Sequence, residues 1–270
     1  MFSPKSMFCA CLLCLVGTVC PGAENPRNLA PLGIQAPDLV PADQGDVEVT
    51  LSYVSGYFYP FQRWDTDRTF IEMPSVRVNL GLGERAELQT HLNYLSVTQN
   101  GNGAEQGIGD LTLGAKIRLL KKDDPYPPLA MVFATKLPNA DDSRDLGTDQ
   151  TDFMAMVVSS YECGDCTFYL NLGLDILADP IYNHSGQDDL LRYGFGARAP
   201  VVNGLHALAS IEGLSGEAIN KRGAIRLGLQ YSSDGPWAWH FGCSFGYRDL
   251  SEDWSIRAGF IRRFSLPETW

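Results

Sequence analysis

The stretch Gly107–Leu120, GIGDLTLGAKIRLL, decides the reading of the fold. Leu111, Leu113, Ala115, Ile117 and Leu119 are apolar, and Asp110, Thr112, Gly114, Lys116 and Arg118 between them are polar or small. An alternation of period two is a strand with one oily and one wet face. The wet face carries full charges, so the oily face is turned either to a protein core or to lipid.

The same period recurs on both sides of this strand. Val47, Val49, Leu51, Tyr53, Tyr57 and Tyr59 line one face of a first strand, and Val76, Val78, Leu80 and Leu82 line a second. Pro74 can donate no ladder bond, so it marks a bulge or the start of that second strand. In the third, Leu88, Leu92 and Tyr94 stand opposite Glu87, Gln89, His91 and Asn93. Segments at 129–137, 153–161, 168–176, 191–198, 205–211, 225–231, 237–247 and 254–264 bring the count to about 12. Short links (GER, VNG, SSDGP) alternate with longer polar ones (SVTQNGNGAEQG, NADDSRDLGTDQ, PIYNHSGQDD). Even strand number and alternating loop length are the rhythm of a barrel with short periplasmic turns and long outer loops. The expected fold is all-β: a closed antiparallel up-and-down transmembrane β-barrel of about 12 strands over residues 46–264.

A soluble sandwich alternates too, with its oily faces inward. Lipid is favoured by the Tyr and Trp residues at the strand ends (Tyr57, Tyr59, Tyr94, Trp237, Trp239, Tyr247, Trp254), because aromatic girdles sit at membrane interfaces. Glycine is frequent on the polar faces, as suits a tightly curved barrel. The formal net charge of −11 and the lack of a basic cluster argue against nucleic acid. Past the N-terminus no apolar run approaches the ~20 residues of a membrane helix.

Residues 1–23 read as an export signal: Lys5, the apolar run Met7–Val19, then Pro21, Gly22 and Ala23. Cys9, Cys11, Cys14 and Cys20 leave with it. Residues 24–45 are a proline-rich, extended N-terminal periplasmic segment, and residues 265–270 a C-terminal tail. Cys163 and Cys166 flank a hairpin turn in ECGDC, where an oxidising compartment can bridge them. A single CxxC makes a poor zinc site. No metal site and no cofactor is expected.

The polar faces supply the candidate lumen-lining residues: Glu87, His91, Asp110, Lys116, Arg118, Asp175, Arg192, Arg198, Arg226, His240, Arg248 and Arg257. The arginines can line a path for anions, since wall charge sets selectivity. They can equally pair with Glu87, Asp110, Asp175 and Glu212 and brace a narrow bore. Both readings stay open. The acidic loop Asp141, Asp142, Asp145, Asp149 and Asp152 lacks the spacing of a calcium loop and reads as a solvated outer loop. His184 and Ser185 in YNHSGQDD are the one enzyme-like hint. A serine nucleophile needs a base in reach and a third group to orient it, and neither is placed, so no catalytic residue is assigned.

Four stretches resemble one bacterial outer-membrane family, labelled for the meta pathway of phenol degradation. They are GIGDLTLGAKIRLL, ATKLPNADDSRDLGTDQTDF (134–153), LGLGERAEL (80–88) and IRAGFIRRF (256–264). The tail SLPETW after Phe264 and the ECGDC turn depart from the family pattern. The resemblance implies a 12-stranded type of outer-membrane barrel that passes small or hydrophobic molecules. Joined to the residues themselves, it gives an outer-membrane, porin-like channel of a Gram-negative bacterium for small, including hydrophobic or anionic, solutes. The alternatives are a non-transporting structural or surface-binding barrel, with its lumen plugged by side chains or by the N-terminal segment, and a barrel lipase. Expected partners are outer-membrane lipid and lipopolysaccharide, the solute, and the barrel-assembly machinery during biogenesis.

Overall fold

A computed structural model describes residues 32–56, 68–99, 103–122, 125–178, 188–216, 221–232, 234–248 and 250–266. Its strands are β1 (Gln44–Ser55), β2 (Arg68–Leu82), β3 (Ala86–Gln99), β4 (Glu105–Ile108), β5 (Leu111–Leu120), β6 (Leu129–Leu137) and β7 (Asp152–Cys163). They continue with β8 (Cys166–Leu177), β9 (Asp188–Val202), β10 (Leu205–Ser215), β11 (Arg222–Ser232), β12 (Trp237–Gly246) and β13 (Trp254–Ser265). Every pairing is antiparallel, and β1 pairs with both β2 and β13, which closes the sheet. β4 pairs with Tyr94–Val97 of β3 and β5 with Ala86–His91. The two are halves of one stave, so the barrel has 12.

The opening stretch is therefore one strand with a break at Gly109–Asp110. There the Gly109 N–H donates to the Asn93 carbonyl at 2.9 Å. The Asp110 carboxylate turns away from the ladder and accepts from the backbone N–H groups of Asn139 (3.2 Å) and Ala140 (3.0 Å). An aspartate next to a glycine can bend a strand in this way because its side chain replaces ladder bonds. Pro74 lies inside β2, after a cis Met73–Pro74 bond, where the register shifts between Glu72 and Ser75. It marks a bulge and not a beginning.

Large apolar side chains face outward around the circumference. Leu172 on β8, Leu227 on β11 and Phe241 on β12 are 51%, 49% and 55% exposed. A soluble sandwich would bury these faces; a closed barrel presents them to lipid. Trp237, Trp239 and Phe260 cluster near the short-turn end, with the Arg262 guanidinium 5.1 Å above the Trp237 ring. Tyr53 and Trp254 pack at the opposite end, ring centroids 5.3 Å apart. Aromatic residues thus stand at both borders of the apolar band. Tyr57 and Tyr59 lie outside the described residues.

The candidate site is the barrel lumen

The inward faces divide by height. At the outer end an apolar cluster stands among paired charges. Phe70, Leu95 and Val97 pack with Leu146, which the β6–β7 connection folds into the mouth, and Val54 joins them. Two ion pairs hold this connection down: Arg68 to Asp145 at 3.0 Å and Arg144 to Glu105 of β4 at 2.9 Å. Leu177, Leu190 and Leu214 continue the apolar ring on β8–β10. Two acidic residues of this loop are thus paired within the protein: Asp145 with Arg68, and Asp152 with Lys136 at 2.6 Å. Among the described residues no cluster of three metal-ligating side chains occurs.

The middle layer is charged. Around a cavity of about 400 Å³ stand Glu48, Glu72, Arg77, His91, Arg192, Arg226, His240 and Arg257. Most cations are paired across neighbouring strands. Arg77 meets Glu48 at 2.7 Å and Arg226 meets Glu212 at 2.6 Å, while Arg192 grips Asp175 with two N–H bonds. His91 shares a 2.8 Å hydrogen bond with the Ser75 hydroxyl, and His240 lies 3.2 Å from the Thr50 hydroxyl. Arg257 makes no hydrogen bond or ion pair with any described residue.

The inner layer is filled by the chain's own N-terminal segment. The turn Pro41–Gln44 is closed by the Gln44 N–H on the Pro41 carbonyl at 3.2 Å, with Asp43 in the left-handed region. From it, residues 40 back to 32 run up into the lumen. Asn171 of β8 clasps the segment from both sides: its carbonyl oxygen accepts the Gln35 N–H (2.7 Å) and its amide donates to the Gln35 carbonyl (2.8 Å). Glu87 accepts the Val40 N–H at 2.7 Å, Lys116 donates to the Asp38 carbonyl at 3.1 Å, and Ser210 donates to the Leu32 carbonyl at 2.8 Å. Ile34, Ala36 and Tyr169 form a buried cluster. Residues 32–40 of the stretch read as an extended, proline-rich periplasmic segment are therefore inside the barrel, where the plugged-lumen alternative puts them. Alternation cannot foretell this, because the segment has none.

Glycines on the inward faces make room for it. A Cβ on Gly228 or Gly242 would meet the Leu32 side chain, and one on Gly194 would meet Ile34. Gly33 has φ +82 and passes over the Arg226–Glu212 pair so closely that a side chain there would strike both. The luminal glycines thus do more than ease curvature: they are the seats of Leu32 and Ile34.

Of the candidate lining residues, Glu87, His91, Lys116, Arg192, Arg226, His240 and Arg257 border the cavity. Asp175 stands behind Arg192. Asp110 sits at the mouth, 3.6 Å from Lys136. Arg118 and Arg198 lie near the short-turn rim, the first donating to the Glu84 carbonyl (3.0 Å), the second bonding to His206 (3.0 Å). Arg248 is a correction. It follows the end of β12 and engages Tyr193 and Tyr247, which lie on the outward faces, so it is not in the lumen. The alternation that placed it inside had ended with the strand. Glu48, Glu72, Arg77, Asn171 and Ser210 belong to the lumen but are absent from the sequence-based set. Their strand parity could have found them; their partners in residues 32–40 could not be foreseen.

Cys163 and Cys166 are thiols here, directly opposite across the turn Gly164–Asp165, where Gly164 has φ +60. His184 and Ser185 lie outside the described residues.

A family model described as "Putative MetA-pathway of phenol degradation" matches residues 33–264. The chain belongs to this family. The matched span begins within the luminal segment, so segment and barrel are one matched unit. Among solved structures, the chain is similar to the COG4313 outer membrane channel from Pseudomonas putida F1, with TM-score 0.65 and 17% identity over 88% of this chain and 100% of that one. It is also similar to the translocator domain of the autotransporter NalP from Neisseria meningitidis, with TM-score 0.54, 15% identity and 96% of each chain covered. The NanC porin matches with TM-score 0.51 and 12% identity, over 82% of this chain and 99% of that one. At these identities the likeness is one of fold. No curated protein matches the chain.

Proposed function

We propose that the protein is a gated outer-membrane channel for small solutes of a Gram-negative bacterium. The observation that carries this reading is the lumen itself: a charged, cavity-holding bore occupied at its inner end by nine residues of the chain's own N-terminal segment and narrowed at its mouth by the apolar cluster around Leu146. The family label and the channel and porin names of the structural relatives agree with it. Burying an aliphatic side chain is worth about 1.5–3 kcal/mol, while fixing each backbone residue opposes docking by about 1–2 kcal/mol. The two oppose each other, and on this reading the segment leaves and returns. On this reading lipid and lipopolysaccharide surround the barrel, the assembly machinery inserts it, and no residue acts as a catalyst.

The test is single-channel recording of the refolded full chain in a planar bilayer, beside Asn171→Ala. Brief, rare openings of the wild type and a higher open probability in the variant support the channel. Silence from both, with heat-modifiable gel migration proving the barrel folded, would favour the non-transporting, surface-binding or structural barrel. That second reading draws on the same plug.

A further inference from the structure

We propose that Arg257 and the lumen wall around Gly242 form a binding station for small monocarboxylates with an apolar body. The proposal rests on the lumen being the solute path described above.

Six cations line the central cavity: Arg77, Lys116, Arg192, Arg226, Arg257 and Arg263. Five have carboxylate partners: Glu48, Glu87, Asp175, Glu212 and Asp46 respectively for Arg77, Lys116, Arg192, Arg226 and Arg263. Arg257 alone among them is left without one by any described residue. A guanidinium withdrawn from bulk water and unpaired is unfavourable, and its planar fork is shaped to take a carboxylate through two parallel N–H bonds.

Strand register says what surrounds that fork. Arg257 stands opposite Gly242 of β12 on one side and Ser52 of β1 on the other. Gly242 is opposite Gly228 of β11, and Ser52 is opposite Glu72 of β2. One row across the wall therefore reads Gly228, Gly242, Arg257, Ser52, Glu72. The glycine side is an apolar seat, and the chain itself displays what fits there: the isobutyl group of Leu32 lies where the Cβ atoms of both glycines would be. On the other side the Ser52 hydroxyl can donate to a carboxylate oxygen, and Glu72 repels a second anionic group. An acid with one charge and a branched apolar body matches this row; a diacid does not. The cavity, about 400 Å³, is of the size small-ligand pockets have. The ligand body takes the seat by displacing Leu32, so binding and release of the segment are coupled.

The probes are 4-methylpentanoate, whose body copies the Leu32 side chain, and its neutral isostere 4-methylpentanamide. Both are titrated into the refolded full chain by saturation-transfer NMR, with folding checked by heat-modifiable migration. The wild type is expected to bind the acid at least tenfold more tightly than the amide. Arg257→Gln erases that ratio and Arg257→Lys keeps part of it. Asn171→Ala, which loosens the segment, tightens acid binding. An acid-to-amide ratio near one in the wild type, or an unchanged ratio in Arg257→Gln, overturns the station; unchanged acid affinity in Asn171→Ala overturns the seat shared with Leu32. Conductance recorded on the same samples separates the two proposals. A conducting barrel without acid preference refutes the station alone, and a silent barrel that prefers the acid refutes the channel alone.

Discussion

At the outer end of the lumen, Val54, Phe70, Leu95 and Val97 close on Leu146 through side chains that can make no hydrogen bond. At the inner end, residues 32–40 are tied by Asn171, Glu87, Lys116 and Ser210, each to a backbone group of the segment. Apolar contact is non-directional and follows buried area. A hydrogen bond fails when one atom is removed, and a buried partner left behind is penalised. The outer closure should therefore tolerate changes that preserve volume, whereas the inner closure should respond to single polar atoms. The contrast also suits traffic: an apolar mouth yields to any body that can wet it, while a tethered segment needs its specific bonds replaced.

The largest expected effect is from Glu87→Ala. Glu87 is 1% exposed and lies 3.0 Å from the Lys116 ammonium, itself buried. Its removal strands a buried cation and frees the Val40 N–H, with an expected loss of about 3–5 kcal/mol. Denaturant titration of the heat-modifiable band reads this as a lowered midpoint; an unchanged midpoint would mean the polar tether carries no weight. At the other end, Leu146→Ala should lose about 2 kcal/mol of local packing, and Leu146→Met under about 1.5 kcal/mol. In bilayer recordings Leu146→Ala should lengthen open dwell times and Leu146→Met should leave them near wild type. Equal behaviour of the two would break the claim that the mouth closes by volume.

Gly194→Val tests the seats. A Cβ there would lie 2.7 Å from Cδ1 of Ile34, and overpacking of this kind is worth about 1–3 kcal/mol. Because Ile34 is on a segment that can leave, the strain should appear as a higher open probability and not as a weaker barrel. A destabilised barrel with unchanged gating would show that the segment is a fixed part of the core.

The smallest effect concerns pH. Burial raises the Asp38 carboxyl above its ordinary 3.8, against the pull of Lys116, Lys122 and Arg118. A raised value means the docked segment holds a proton more tightly than the free one. The docking penalty is present above the docked pKa and disappears as pH falls toward 3.8. Acidification through that window should close the channel more often. Asp38→Asn should remove the dependence and hold the segment in at neutral pH. Open probability that rises on acidification, or a pH response that survives Asp38→Asn, would assign it to another group.

Several features are legible in the sequence alone. The strand set and the parity of Glu87, Lys116, Asp175 and Arg192 follow from neighbours two or three residues away, whereas the choice of bulge over strand start at Pro74 needed the pairing of β2. The break at Gly109–Asp110 was not legible. The alternation runs through it, and only the Asn139 and Ala140 N–H groups, some 30 residues on, draw the Asp110 carboxylate out of line. Arg248 was misplaced for the converse reason: a pattern was carried past a strand end that only pairing defines. The choice between bracing and lining arginines also needed tertiary contacts. Arg192 and Arg226 have carboxylates on the next strand, and Arg257 has glycine and serine beside it.

By itself the sequence determined a closed barrel with an oily outside and a charged inside. That information is local: side chains alternate along a strand, and loop lengths alternate between its ends. Only the tertiary structure decided that the bore is shut, by what, and which arginine is left over. Those outcomes rest on contacts such as Asn171 with Gln35, 136 residues apart, and Arg263 with Asp46, 217 apart. No periodicity reaches across such separations; they exist only once the sheet has closed and its inner faces meet.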